Sequence, residues 1–182
     1  WIVGCDGGIY ETYNHAKDWK YYANLPITQF YKVATDNVFP FYTIYGGTQD
    51  NNSMGGPSAT INNAGILNSD WFITCGGDGF ESAINPTNAN IVFSQSQYGG
   101  LVRYDKVTGE KISIQPLPGK GEAAYRWNWD APLLVSPHDN HTLYFAANKI
   151  FQSQNDGDDW KLISNDLTQQ IDRNKLKVMG QV

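Results

Sequence analysis

The chain has 182 residues, 41% hydrophobic and 14% aromatic, with only 17% charged and a formal net charge of −5. That length suits one domain with a sizeable core, and the aromatic content excludes a disordered chain. The acidic balance and three dispersed arginines, Arg103, Arg126 and Arg173, exclude the basic face a nucleic-acid partner requires, and no apolar run reaches membrane-spanning length.

The first predicted strand covers residues 1–5 and turns at Asp6-Gly7-Gly8 into a second at 9–12. A polar turn, Thr12-Tyr13-Asn14-His15-Ala16-Lys17-Asp18-Trp19, leads to a strand at 19–22. Strands at 30–34 and 42–46 flank the turn Thr35-Asp36-Asn37. A polar loop at 47–53 and an Asn-rich insertion at 58–69 precede a strand at 71–75. The next set is 80–84, 91–95, 101–104 and 111–114, with turns at Asn85-Pro86-Thr87-Asn88, Tyr98-Gly99-Gly100 and Thr108-Gly109. A last set is 132–135, 142–145, 149–151 and 160–163. Its turns are Ser136-Pro137-His138-Asp139 and Ser153-Gln154-Asn155-Asp156-Gly157-Asp158-Asp159-Trp160. Pro and Asn or Asp at matching offsets are a turn signal with a mechanism: Pro presets φ, and Asn and Asp bond nearby amides. Only 166–175 is expected to form a turn or two of helix.

These sets recur with a period of roughly 45–50 residues, the mark of a repeat fold. The predicted units are 1–26 (incomplete), 27–75, 76–116 and 124–168, with 169–182 beginning a further element. Trp1-Ile2-Val3-Gly4 reads as a strand interior and 174–180 stops without a closing element, so the sequence is expected to be a piece of a longer protein. Cys5 and Cys75 are too few to define a disulfide framework, and their registers are not expected to bring them together.

The pattern Ser-x-Asn-x-Gly-x-x-Trp at 153–160 resembles the Asp-box, the repeat of bacterial neuraminidase-type propellers, with Asn where Asp is usual. The turn at 12–19 is a second copy without the glycine. With Gly-Gly-Ile-Tyr at 7–10, Tyr-Gly-Gly-Thr-Gln-Asp-Asn at 45–51, Gly-Gly-Asp-Gly-Phe at 76–80 and Asn-Asp-Leu-Thr at 165–168, essentially the whole chain resembles exported bacterial sortilin-like or Asp-box "glycosyl hydrolase" propellers. The resemblance implies an all-β fold of about four radial, four-stranded antiparallel blades, one incomplete, cut from a larger ring. It further implies export and a structural role for Thr12, Asn14, Trp19, Ser153, Asn155, Gly157 and Trp160. The remainder of the ring, or a larger extracellular assembly, is then an expected partner.

On that plan, loops between second and third strands share one face with the connections between units. The face collects Asp6, Gln49, Asp50, Asn51, Asn52, Asp78, Gln97, Tyr98 and the stretch Tyr125-Arg126-Trp127-Asn128-Trp129-Asp130. Carboxylates, amides and aromatic planes around one mouth suit a glycan or peptide ligand, because rings cover apolar faces while amides fix hydroxyls or backbone. Asp50, Asn51, Asp78, Tyr98, Arg126, Trp127 and Trp129 are the candidate ligand contacts. Asp6 is either a turn residue capping amides or, by resemblance to xyloglucan-cleaving propellers, one acid of an inverting pair. Trp127 and Trp129 flank Asn128, so one face can be core and the other channel. Arg126 is either ion-paired or a ligand clamp, and three scattered arginines argue against a sialidase. His15, His138 and His141 sit in turns without metal-ligand spacing. No metal, cofactor, phosphate loop or nucleophile elbow is expected. A binding or scaffolding module is the first reading and a glycoside hydrolase the second.

Overall fold

The computed structural model describes residues 1–25 and 28–180. The predicted boundary between 1–26 and 27–75 falls on Pro26 and Ile27, outside these residues, as do Gln181 and Val182 of the terminal stretch. Among the described residues fifteen strands form four antiparallel sheets, none closed into a barrel. Sheet I holds β1 (Ile2–Cys5), β2 (Gly8–Glu11) and β3 (Lys20–Tyr21). Sheet II holds β4 (Lys32–Thr35), β5 (Thr43–Gly47), β6 (Ser53–Pro57) and β7 (Phe72–Cys75). Sheet III holds β8 (Gly79–Ile84), β9 (Ile91–Ser96), β10 (Gly100–Asp105) and β11 (Lys111–Ser113). Sheet IV holds β12 (Leu133–Val135), β13 (Leu143–Ala146), β14 (Ile150–Ser153) and β15 (Lys161–Leu162). Every sheet is a meander in which each strand pairs with the next in sequence.

Two expectations need correction. The stretch 53–57 is strand β6, where the sequence predicts only the end of a loop and the approach to an insertion. Its glycines are there because aromatic rings occupy the side-chain positions: a Cβ on Gly55 would lie 2.7 Å from both Tyr45 and Phe72, and one on Gly56 would run into Trp71. The expected helix over 166–175 is reduced to one 3-10 turn at Arg173–Lys175. Asp166 instead spends its carboxylate on Thr168 and Asn148.

The core lies between sheets. Tyr45 of sheet II meets Val92 and Tyr104 of sheet III. Phe93, Leu101 and Ile114 of sheet III meet Leu133, Leu143 and Phe145 of sheet IV, with Trp127 and Trp160 packed against them. Alternation along β9 makes this possible, because Val92 points to one neighbour and Phe93 to the other. Sheets II and III also touch through a buried hydroxyl relay, Ser82 to Ser94 at 3.0 Å and Ser94 to Thr74 at 2.8 Å.

The turn at 153–160 is built by side chains. Ser153 Oγ accepts from the Gly157 amide (2.9 Å), and Asn155 Oδ1 accepts from Ser153 Oγ (2.9 Å) and the Asp159 amide (3.0 Å). Asn155 Nδ2 donates to Asp159 (3.1 Å). The turn at 12–19 repeats this bond for bond. Thr12 Oγ1 accepts from the Ala16 amide (3.2 Å), Asn14 Oδ1 accepts from Thr12 Oγ1 (3.1 Å) and the Asp18 amide (3.0 Å), and Asn14 Nδ2 donates to Asp18 (2.8 Å). Thr12 and Ser153 are both buried, as their central place in the network requires.

Candidate functional site

In an antiparallel meander the loop between second and third strands lies at the end opposite the turns on either side of it. The turns at 12–19 and 153–160 therefore lie at one end of their sheets, and the loops containing Asp6, 48–52 and 97–99 at the other. The latter end carries the candidate site.

Its centre is the loop between β5 and β6, where Asp50 (φ 60°) and Asn52 (φ 72°) are both left-handed. This conformation is held from two sides. Thr48 N donates to Asn52 O at 3.0 Å inside the loop. Asn52 N donates to Gly77 O at 3.0 Å, and Gly79 N to Thr48 O at 2.9 Å, which zips the loop onto the connection to sheet III. Asp78 is buried here and accepts from the Asp50 amide at 2.6 Å, while its own amide donates to Gln97 Oε1 at 2.9 Å. Glycine is obligatory at the crossing, since a Cβ on Gly47 would overlap the Gly79–Phe80 backbone and one on Gly79 the Asn52 backbone.

A cavity of about 940 Å³ opens over this loop, lined by Asp6, Tyr31, Gln49, Asp50, Asn51 and Met54 among others. Among the described residues no lysine or arginine lines it. The Asp78 carboxyl hydrogen-bonded to that of Asp50, with its charge and that of Asp6 behind it, raises the Asp50 pKa above the usual carboxylate value. Asn51 Nδ2 donates to Gln49 O at 3.1 Å, and Tyr31 Oη donates to the Gln49 side chain.

From Tyr31 a row of rings leads away from the cavity. Tyr31 stacks on Phe80 (5.4 Å, 8°), Phe80 meets the Trp129 ring edge-on (6.4 Å), and Trp129 meets Tyr98 edge-on (4.8 Å). Tyr98 is 60% exposed and Trp129 41%, so both present ring surface to solvent. Lys32 of β4 reaches Asp130, ahead of β12, at 3.0 Å and Glu81 of β8 at 3.4 Å. Partial burial opposes its charge, but the two acids outweigh that and raise its pKa.

The fold therefore brings Asp6, Asp50, Asn51 and Asp78 together, and connects Tyr98 and Trp129 to them through Tyr31 and Phe80. Trp127 goes elsewhere. It packs on Phe145 (4.9 Å) and Phe151 (6.0 Å) over Gly99, where a Cβ would strike the indole. Arg126 is tied to Asp166 at 2.6 Å and Thr168 at 2.8 Å. Bonds from the Thr168 hydroxyl and amide, then Asn148 and Arg126, hold the Asp166 carboxyl well below the usual carboxylate range. The sequence marks Tyr31 and Phe80 only as strand residues; an aromatic near the start of the first strand in each of sheets II and III is the available signal. Cys5 and Cys75 are free thiols, one exposed and one buried. Among the described residues no helix is long and apolar enough to cross a membrane, and no group of three or more His, Cys, Asp or Glu is arranged to hold a metal ion. Comparison with models of known protein families finds no match to this chain, and comparison with curated proteins finds none either.

Proposed function

We propose that the chain is part of an Asp-box β-propeller, exported from the cell, that binds a glycan or peptide at the mouth formed by Asp6, Tyr31, Gln49, Asp50 and Asn51. Support for the propeller comes from four successive meander sheets, of which II, III and IV pack on one another, and from the two turns whose hydrogen bonds match atom for atom. The observation that carries the binding reading is the 940 Å³ cavity, from whose Tyr31 wall a row of rings runs through Phe80 to the exposed Trp129–Tyr98 edge pair. Rings cover the apolar faces of sugars or side chains, while Gln49, Asp50 and Asn51 offer donors and acceptors for hydroxyls or backbone. With acids and no bases on the lining, neutral or cationic ligands are favoured over anionic ones. The rest of the ring, or a larger extracellular assembly, completes the module.

The test is calorimetric titration with neutral oligosaccharides and short peptides, alongside Trp129→Ala and Asn51→Ala variants. Binding to the parent chain that weakens roughly tenfold or more in either variant supports the reading. Ligands that bind all three proteins alike, or none, refute it.

One observation favours a second reading, an inverting glycoside hydrolase. Asp50, a carboxyl whose pKa Asp78 raises, lines the same cavity as Asp6, and two carboxyls on one site are what an inverting pair requires. Asp6→Ala that abolishes oligosaccharide cleavage while the strand circular dichroism is unchanged would establish it; a parent protein that cleaves nothing removes it.

A further inference from the structure

Among the described residues the fold buries two carboxylates, Asp36 and Asp78, and they are treated differently. Asp36, 4% exposed, has the Lys106 ammonium at 3.3 Å. Asp78, 6% exposed, has no lysine, arginine or histidine partner among the described residues. A buried anion is costly unless an opposite charge stands beside it. Asp78 accepts from the Asp50 amide at 2.6 Å, and the charged side chain that faces it is that of Asp50.

Around Asp50, among the described residues, every titratable group is an anion when ionised. Asp78 faces it from the connection between β7 and β8, and Asp6 from the turn between β1 and β2 on the other wall of the cavity. The remaining titratable groups on the lining are Cys5 and Tyr31. Two carboxyls in contact resist ionising together, which is why the Asp50 pKa is raised. A cation entering the cavity reverses that balance, because its charge favours the ionised form of every carboxyl near it.

We propose that the mouth takes the lysine or arginine side chain of a peptide, its charge seated between Asp50 and Asp6 with Asp78 behind, and that Asp50 releases its proton to solvent as the ligand enters. The inference rests on the mouth being a binding site and adds the class of ligand and the pH control. A basic side chain fits the lining better than an amino sugar does. A sugar ring needs an open aromatic face, and Tyr31 has one face stacked on Phe80 at 5.4 Å. Half-buried Met54 instead offers an adaptable apolar contact to a methylene stem whose charged head stays among the acids. Protonated Asp50 attracts the cation less, so affinity rises with pH through the raised carboxyl value and falls on acidification.

Calorimetric titration of the parent chain with Gly-Lys-Gly, capped at both ends, and with the same peptide acetylated on its lysine tests this. The acetylated peptide, which lacks the charge, binds at least about tenfold more weakly. At the midpoint of the pH profile, the heat measured in two buffers of different ionisation enthalpy shows protons leaving the parent on binding, and fewer leaving Asp50→Asn. Asp78→Asn keeps an oxygen for the Asp50 amide, so the fold is retained, which circular dichroism verifies. It weakens binding and moves the midpoint of the profile to lower pH, because the neighbouring charge that opposed ionisation of Asp50 is gone. Charged and acetylated peptides that bind alike, binding without proton release, or an Asp78→Asn profile that stays in place each overturns the proposal. So does a glucosamine oligomer that binds where the lysine peptide fails. A neutral ligand whose binding Asn51→Ala weakens, with no preference for the charged peptide, leaves the binding reading standing while this one falls.

Discussion

At the residue scale, the two matched turns form a controlled experiment on glycine. Gly157 has φ 90° and Ala16 has φ 63°, inside the same hydrogen-bonded network. An L-residue in that region suffers Cβ–carbonyl crowding of roughly 1–2 kcal/mol, which glycine escapes at some entropic cost. Ala16 is exposed, so its methyl gains no packing in return. Ala16→Gly is therefore expected to stabilise the monomer by about 1 kcal/mol, measured as a shift in urea midpoint at unchanged slope. A second residue-scale prediction concerns Asp50. Its raised pKa means the ionised form is disfavoured beside Asp78, so its favourable contribution is complete below the ordinary carboxylate value and is lost as pH climbs through the raised one. Asp50→Asn should melt higher than the parent at neutral pH, with the difference shrinking on acidification into the carboxylate range. Whatever difference persists at low pH reports the better tolerance of Asn for φ 60°.

At the element scale, the contact between β5 and β8 is set by backbone. Gly47→Ala places a methyl into the Gly79–Phe80 peptide, where no side chain can swing away, and should cost about 3 kcal/mol in a denaturation experiment. An effect below about 1 kcal/mol would mean that the two strands slide apart readily. Strand and turn were legible in the sequence wherever β-branched and aromatic residues met Pro, Asn or Asp at a regular offset, as at 85–95 and 136–145. They were not legible at β6, because Ser53-Met54-Gly55-Gly56-Pro57 spells a loop by local propensity. Its stability comes from the rings of Tyr45, Trp71 and Phe72, which only the folded register brings over it. The gathering of Asp6, Asp50 and Asp78 followed from the rule that alternate loops of a meander share an end. By contrast, the alternation Trp127-Asn128-Trp129 declares that the two indoles share a side without saying which neighbours they meet. The space over Gly99 decides that for Trp127, and it is a property of the tertiary packing.

At the scale of the whole molecule, the two thiols give an independent reading of how the sheets separate. Cys5 is exposed, whereas Cys75 ends β7 against sheet III with its pKa pushed up by burial. A thiol reagent in excess should modify Cys5 at once, and Cys75 only at the rate at which sheets II and III part. Equal, immediate reaction of both would contradict the buried II–III contact. The meander order of every sheet has a further consequence. Because each strand pairs with its immediate successor, most ladder bonds span short loops and exact little closure entropy before they form. A nascent polypeptide can thus complete one hairpin pair after another as it leaves the ribosome, each finished unit offering a template surface to the one still being synthesised.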